Sequence, residues 1–119
     1  MAYQKSFLLA QRIYRISLKF PKEELNSLTD QIRRSSRSVS ANLAEASAKR
    51  GYPKHFRSKL TDCAGETAET QVWLDYAIDC GYLSESTHQE LTTLSEEVGK
   101  LLSYMMSNLA KFGSKPINP

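Results

Sequence analysis

Proline is nearly absent from the body of this chain, standing only at Pro21, Pro53, Pro116 and Pro119. The intervals 22–52 and 54–115 are therefore free of the strongest helix breaker and are where long helices belong. With 5 glycines there is little loop material either. No apolar run approaches the roughly 18–20 residues that a membrane span needs. The opening MAYQKSFLLAQRIYR lacks a continuous signal-peptide core and a small-residue cleavage site, so a cytoplasmic protein with no membrane partner is expected. The two cysteines, Cys63 and Cys80, lie on what reads as one helix. At 1.5 Å per residue they stand roughly 25 Å apart and cannot pair within the chain. They read as small, semi-buried thiols in a reducing compartment. His55 and His88 are isolated from each other and from cysteine, which argues against a metal site. There is no Gly-rich phosphate loop, no Gly-x-Ser-x-Gly elbow and no His-Glu-x-x-His, so neither a cofactor nor an enzyme is expected.

What the chain does have is helical periodicity. At 119 residues it has the size of one domain. Four segments, about 5–19, 25–49, 54–80 and 85–112, carry apolar residues at three- and four-residue steps, with a tail at 113–119. The first has Phe7, Ala10, Tyr14 and Leu18 on one face and Leu9, Ile13, Ile16 and Phe20 on the next, wide enough to touch more than one helix. Phe20-Pro21 ends it. Pro53 opens the third, whose stripe runs through Phe56, Cys63, Thr67, Thr70 and Leu74, with Trp73 and Tyr76 lying off it. Gly81 caps its end, Ser84 and Glu85 begin the fourth, and Gly113 and Pro116 stop it. No segment alternates over a strand length. The expected fold is all-α, an up-down-up-down antiparallel four-helix bundle.

The second segment, LTDQIRRSSRSVSANLAEA from Leu28 to Ala46, mixes this seam with polar residues. Reading it through Leu28, Ile32, Ser35, Val39, Asn42 and Ala46 points Asn42 inward, where a buried amide fixes register. Asn42 and Glu45 share a face and read as a structural polar motif, since no base, nucleophile or second acid stands near Glu45 in sequence.

Charge is divided unevenly. Residues 1–60 hold 13 Lys and Arg against 4 Asp and Glu, a balance of +9, whereas residues 61–119 hold 3 against 9, a balance of −6. Either the basic half serves nucleic acid, or the halves pack on one another or on neighbouring subunits. Arg33, Arg34 and Arg37 form the sharpest basic cluster, with Arg33 and Arg37 one turn apart. Local ion pairing with Asp30 is the simplest alternative to phosphate binding there. Lys49, Arg50, Lys54, Arg57 and Lys59 surround a loop with Tyr52, His55 and Phe56 among them, a mixture suited to single-stranded or looped RNA. An ordinary solvated loop is the alternative.

Gln31-Ile32-Arg33-Arg34, then Ser38-Val39-Ser40-Ala41-Asn42-Leu43-Ala44-Glu45, resembles the four helix bundle protein family, whose founding members are encoded in intervening sequences of bacterial 23S rRNA genes. Glu69-Thr70-Gln71 and Cys80-Gly81-Tyr82-Leu83-Ser84 fit the same resemblance, which spans about residues 5–112. Ser40 stands where the family usually has proline and Ala46 where it has glycine. The resemblance implies ring-like homo-oligomers, specifically homopentamers. A related branch, the accessory protein of diversity-generating retroelements, is a basic pentamer that works with a reverse transcriptase and binds nucleic acid. The resulting expectation is a noncatalytic oligomer that engages RNA, DNA or a nucleic-acid-handling protein. The alternative is a structural or protein-interaction module whose opposite charges serve assembly only.

Overall fold

The computed structural model describes residues 1–113. Four long helices, α1 (Ala2–Ser17), α2 (Leu28–Ala48), α3 (Pro53–Asp79) and α4 (Glu85–Ser107), are followed by one short turn of helix, α5 (Leu109–Phe112). Each long helix packs on its neighbour in sequence, and α1 closes the circle against α4. The short connections force antiparallel neighbours, so the arrangement is an all-α, up-down-up-down bundle.

The helix ends follow local chemistry. α2 starts at Leu28 rather than near residue 25, because a single 3-10 turn, Lys22–Glu24, intervenes. The Glu24 carboxylate accepts from Ser27 Oγ at 2.6 Å and from the Leu28 amide at 3.4 Å, supplying an acceptor at the new N-terminus. α4 stops at Ser107, not 112. Asn108 leaves helical geometry at φ −134° and donates its side-chain amide to the Tyr104 carbonyl at 2.8 Å, competing with the backbone ladder. Pro116 and most of the expected 113–119 tail lie outside the described residues.

α3 ends in a left-handed cap. Gly81 has φ 79°, and its amide donates to Ile78 while that of Tyr82 donates to Ala77. This is the paired 6→1 and 5→2 pattern that satisfies the last helical carbonyls. Gly81→Ala is therefore expected to lower unfolding stability by about 1–2 kcal/mol, the cost of a Cβ in left-handed geometry. Urea denaturation at fixed protein concentration checks this, and an unchanged midpoint would refute it.

The core has two apolar layers. One holds Val39, Leu43, Phe56, Leu60, Val98 and Leu102 near the α2–α3 turn, and the other holds Leu9, Ile13, Ile32, Leu74 and Leu91 toward the far end. Between them every long helix contributes buried hydroxyls: Ser6, Ser35, Thr67 and Thr70, and Ser95. Thr70 donates to Ser35 Oγ at 2.9 Å across the α2–α3 contact. Thr67 donates back to the Cys63 carbonyl, and Ser6 to that of Tyr3. Among the described residues, Ser95 Oγ alone in this waist has no hydrogen-bond partner. Small side chains there let the helices approach closely, and the Ser35–Thr70 bond gives α2 and α3 a preferred register.

Asn42 does not serve that purpose. It is half-buried and donates to Ser38 Oγ at 3.1 Å within α2, while Leu43 takes the inward position. A seam of three- and four-residue steps can pass through either residue, and the leucine gains more by burial.

Candidate nucleic-acid interface

The two basic groups have different surroundings. In α2, Arg33 and Arg37 lie over the same Tyr14 ring, 4.9 and 5.3 Å from its centroid. Arg33 Nε also donates to Ser17 Oγ at 2.8 Å. These guanidinium groups clamp α2 to α1 through cation–π contact, and Asp30 pairs with neither Arg33 nor Arg34. Arg34 and Arg37 border a polar groove on the α3 side, shared with Glu66 and Glu69. Burial holds the Glu66 carboxyl above its usual range, helped by Glu69, while the Arg34 charge pulls the other way. A phosphate at this groove would meet carboxylates as well as arginine.

Glu45 does not bond Asn42 but reaches α3, accepting from Lys59 Nζ at 2.6 Å. Lys59 also stands 3.8 Å from Asp62. The bond to Lys59, then its charge, holds the Glu45 carboxyl below the usual range. Lys59 is thus committed to an ion pair. Phe56 is likewise lost to solvent, only 2 % exposed within the core, although its neighbours in sequence are charged. It faces inward because the α3 stripe passes through it.

The remaining cations gather at one end of the bundle. Lys49 follows the last residue of α2, Arg50 lies in the turn, and Lys54 and Arg57 sit at the start of α3. Arg50 Nε donates to the Ser47 carbonyl at 3.0 Å and Arg57 reaches the Met106 carbonyl at 3.5 Å. Tyr52 is 64 % exposed and meets His55 edge-on at 6.1 Å.

The antiparallel topology brings the end of α4 and α5 to the same place. A Cβ on Gly113 would lie 3.3 Å from the Arg50 carbonyl oxygen. This adds Lys111, whose Nζ donates to the Tyr104 hydroxyl at 2.8 Å and lies over its ring. Lys111 and half-exposed Tyr104 were not evident from sequence. The signal lay in the topology, which sets the α4 C-terminus beside the α2–α3 turn. Among the described residues, none of Lys49, Arg50, Lys54, Arg57 and Lys111 is in an ion pair.

The two ends contrast electrostatically. α1 and α3 begin at the basic end with no acid in the first turn and, among the described residues, no side-chain cap, leaving open the first amides of α1 and, since Pro53 has no amide hydrogen, those of Lys54 and His55 in α3. α2 and α4 begin at the other end with Asp30 and Glu85 in their first turns, and Ser84 accepts from the Thr87 amide. Open amides and unpaired cations favour an anion at the first end.

Among the described residues no three potential ligands converge on a metal position, and no helix is long and apolar enough to cross a membrane. His88 bonds Asp75 at 2.8 Å, far along the chain from His55.

The model of the 23S rRNA-intervening sequence protein family matches residues 1–104. Among solved structures, a protein of unknown function from the S23 ribosomal protein family of Bacteroides thetaiotaomicron aligns with a TM-score of 0.79 and 28% identity, covering 89% of this chain and 98% of that one. No curated protein matches.

Proposed function

The chain belongs to the 23S rRNA-intervening sequence protein family, and on that premise we propose that it is a noncatalytic, ring-forming homo-oligomer, pentameric by resemblance to its relatives, that engages RNA or DNA through the basic end of the bundle. The observation that carries this reading is the set Lys49, Arg50, Lys54, Arg57 and Lys111, with no carboxylate paired to it among the described residues, beside exposed Tyr52 and His55. Cations supply phosphate contacts, and aromatic faces accept unstacked bases. A ring repeats this end around its axis and multiplies weak contacts by raising their effective concentration. A nucleic-acid-handling protein presenting bound strands would meet the same surface.

Fluorescence anisotropy of labelled structured RNA and single-stranded DNA, at low and physiological salt, tests the proposal. Binding is expected to weaken log-linearly with salt. Replacing Lys49, Arg50, Lys54 and Arg57 together by Gln is expected to reduce the magnitude of the single-strand slope by roughly 3, if all four meet phosphate. Unchanged binding by that variant would remove the site. No binding by the native protein even at low salt would remove the function.

A second reading is favoured by the clamp of Arg33 and Arg37 on Tyr14 and by the Arg34–Glu66–Glu69 groove. It makes the charges a device for packing and assembly only. Under it, the Lys49, Arg50, Lys54 and Arg57 replacement lowers oligomer mass. Under the nucleic-acid reading, that variant keeps its oligomer mass and loses binding of the labelled strand.

A further inference from the structure

The grooves along the four pairs of neighbouring helices differ in what lines them. Among the described residues, glutamate borders three of them: Glu66 and Glu69 between α2 and α3, Glu96 between α3 and α4, and Glu90 and Glu97 between α1 and α4. The α1/α2 groove, of about 740 Å³, is lined by no carboxylate and by two arginines, Arg15 and Arg37. Of the four it alone is lined by aromatic rings. Tyr3, Phe7 and Tyr14 stand along its α1 wall at 46, 48 and 40 % exposure, and its floor holds the small Ala41 and Ala44 of α2.

The mouth of this groove is at the basic end. Ala2, next to Tyr3, packs in the apolar layer of Ala46 and Phe56, so the groove opens beside the turn that carries Lys49 and Arg50. From Tyr3 to Leu18 it follows α1 for roughly 22 Å at 1.5 Å per residue. The Tyr3 and Phe7 rings come first, 6.1 Å apart and tilted 30° to one another. The arginines come farther along, with Arg37 held against Tyr14 at 5.3 Å. Among the described residues neither Arg15 nor Arg37 is in an ion pair.

An occupant suited to this lining offers flat apolar faces together with negative charge. Unstacked bases on a phosphate backbone supply both, since every base has a π-face for an aromatic ring and the phosphates take the guanidinium groups. A duplex keeps its base faces stacked inside and supplies only the charge. We infer that the α1/α2 groove is a stacking track for single-stranded nucleic acid, whose phosphates meet Lys49 and Arg50 at the mouth and whose bases lie on Tyr3 and Phe7, with Arg15 and Arg37 holding the backbone beyond them. The inference rests on nucleic-acid binding at the basic end, proposed above, and names its substrate class as single strand rather than duplex. At about 3.4 Å per stacked nucleotide the track holds at most about six nucleotides.

Anisotropy of end-labelled oligodeoxythymidylate of about 12 nucleotides, alone and annealed to oligodeoxyadenylate, tests the inference. Phe7→Leu keeps an apolar side chain at a half-exposed position and removes the ring. It is expected to weaken single-strand binding about tenfold and to leave duplex binding unchanged. Its helical circular dichroism and sedimentation are expected to match those of the native protein. Phe7→Trp, which supplies a ring again, is expected to restore the affinity. If Phe7→Leu misfolds, Tyr3→Leu at the mouth replaces it with the same expectation.

Single-strand binding that survives Phe7→Leu and Tyr3→Leu, but fails when Lys49, Arg50, Lys54 and Arg57 are replaced, would overturn the track and leave the basic end standing. A lower oligomer mass in either leucine variant would also overturn it, by showing that another protein surface covers the groove. Equal native affinity for the two probes would overturn the choice of single strand. No binding of either probe by the native protein at low salt would overturn both the track and the function on which it rests.

Discussion

Leu74→Ala is expected to remove about 3 kcal/mol of unfolding stability, within roughly 2–5 kcal/mol for a buried leucine truncated to alanine. Leu74 is fully buried in the layer formed by Leu9, Ile13, Ile32 and Leu91, where all four long helices meet. Removing its outer carbons loses their transfer energy and leaves a cavity that helices held on every side cannot collapse to fill. The thermal midpoint is expected to fall by roughly 10 °C. Leu74→Met, which conserves volume, is expected to cost less than about 1.5 kcal/mol. Both are read by urea and thermal denaturation at one protein concentration, because assembly adds concentration-dependent stability. Equal losses for Ala and Met would mean that side-chain shape, not the cavity, sets the cost, and no loss for Ala would place Leu74 outside the core.

That Leu74 belongs to the core is legible from sequence, as is the place of Ile32. Three- and four-residue spacing between widely separated prolines leaves few alternatives to long amphipathic helices. Helix ends were less legible where a side chain intervenes. Glu24 delays α2 and Asn108 ends α4, and both act through local hydrogen bonds that hydrophobic periodicity does not register. The hydroxyl waist was half legible. Ser35, Thr67 and Thr70 fall on the stripes, but that Ser6 and Ser95 join them at one level depends on how four helices align along their axes.

The candidate interface divides in the same way. Lys49, Arg50, Lys54 and Arg57 form a cluster in sequence and remain together in space. Lys59 and Phe56, their neighbours in sequence, are drawn away by Glu45 and by the core. Lys111 joins from the far end of the chain because antiparallel packing brings it there. Local sequence records which charges are near one another along the chain, and only tertiary structure records which of them have already found partners.

The two cysteines are expected to differ in reactivity by roughly a thousandfold or more. Sequence reading gave both as semi-buried, but Cys63 is fully buried and donates to the Val39 carbonyl at 3.6 Å, whereas Cys80 is exposed just past the end of α3. Burial foremost, with Asp62 beside it, pushes the Cys63 thiol up to about 12. At pH 8 a disulfide reagent is expected to titrate Cys80 promptly. Cys63 reacts only when the bundle opens, which at ordinary domain stability of roughly 5 kcal/mol or more is rarer than one molecule in a thousand. Both react at once in concentrated guanidinium.

The same burial gives stability a direction in pH. The folded thiol holds its proton above the ordinary value of 9.0, so its contribution is complete below pH 9 and is lost as pH rises toward 12. The slope approaches about 1.4 kcal/mol per pH unit for one proton. Tyr82, pushed up to about 12 by its bond to Glu24, adds a loss of the same sign only above its ordinary 10.0. The interval from pH 9 to 10 therefore belongs to Cys63 among these two. Cys63→Ala is expected to flatten the urea midpoint there, while Tyr82→Phe leaves the slope below pH 10 in place. Prompt labelling of both thiols in the native protein, or an alkaline slope that survives Cys63→Ala, would show that Cys63 does not share the apolar layer of Val39, Leu60 and Val98.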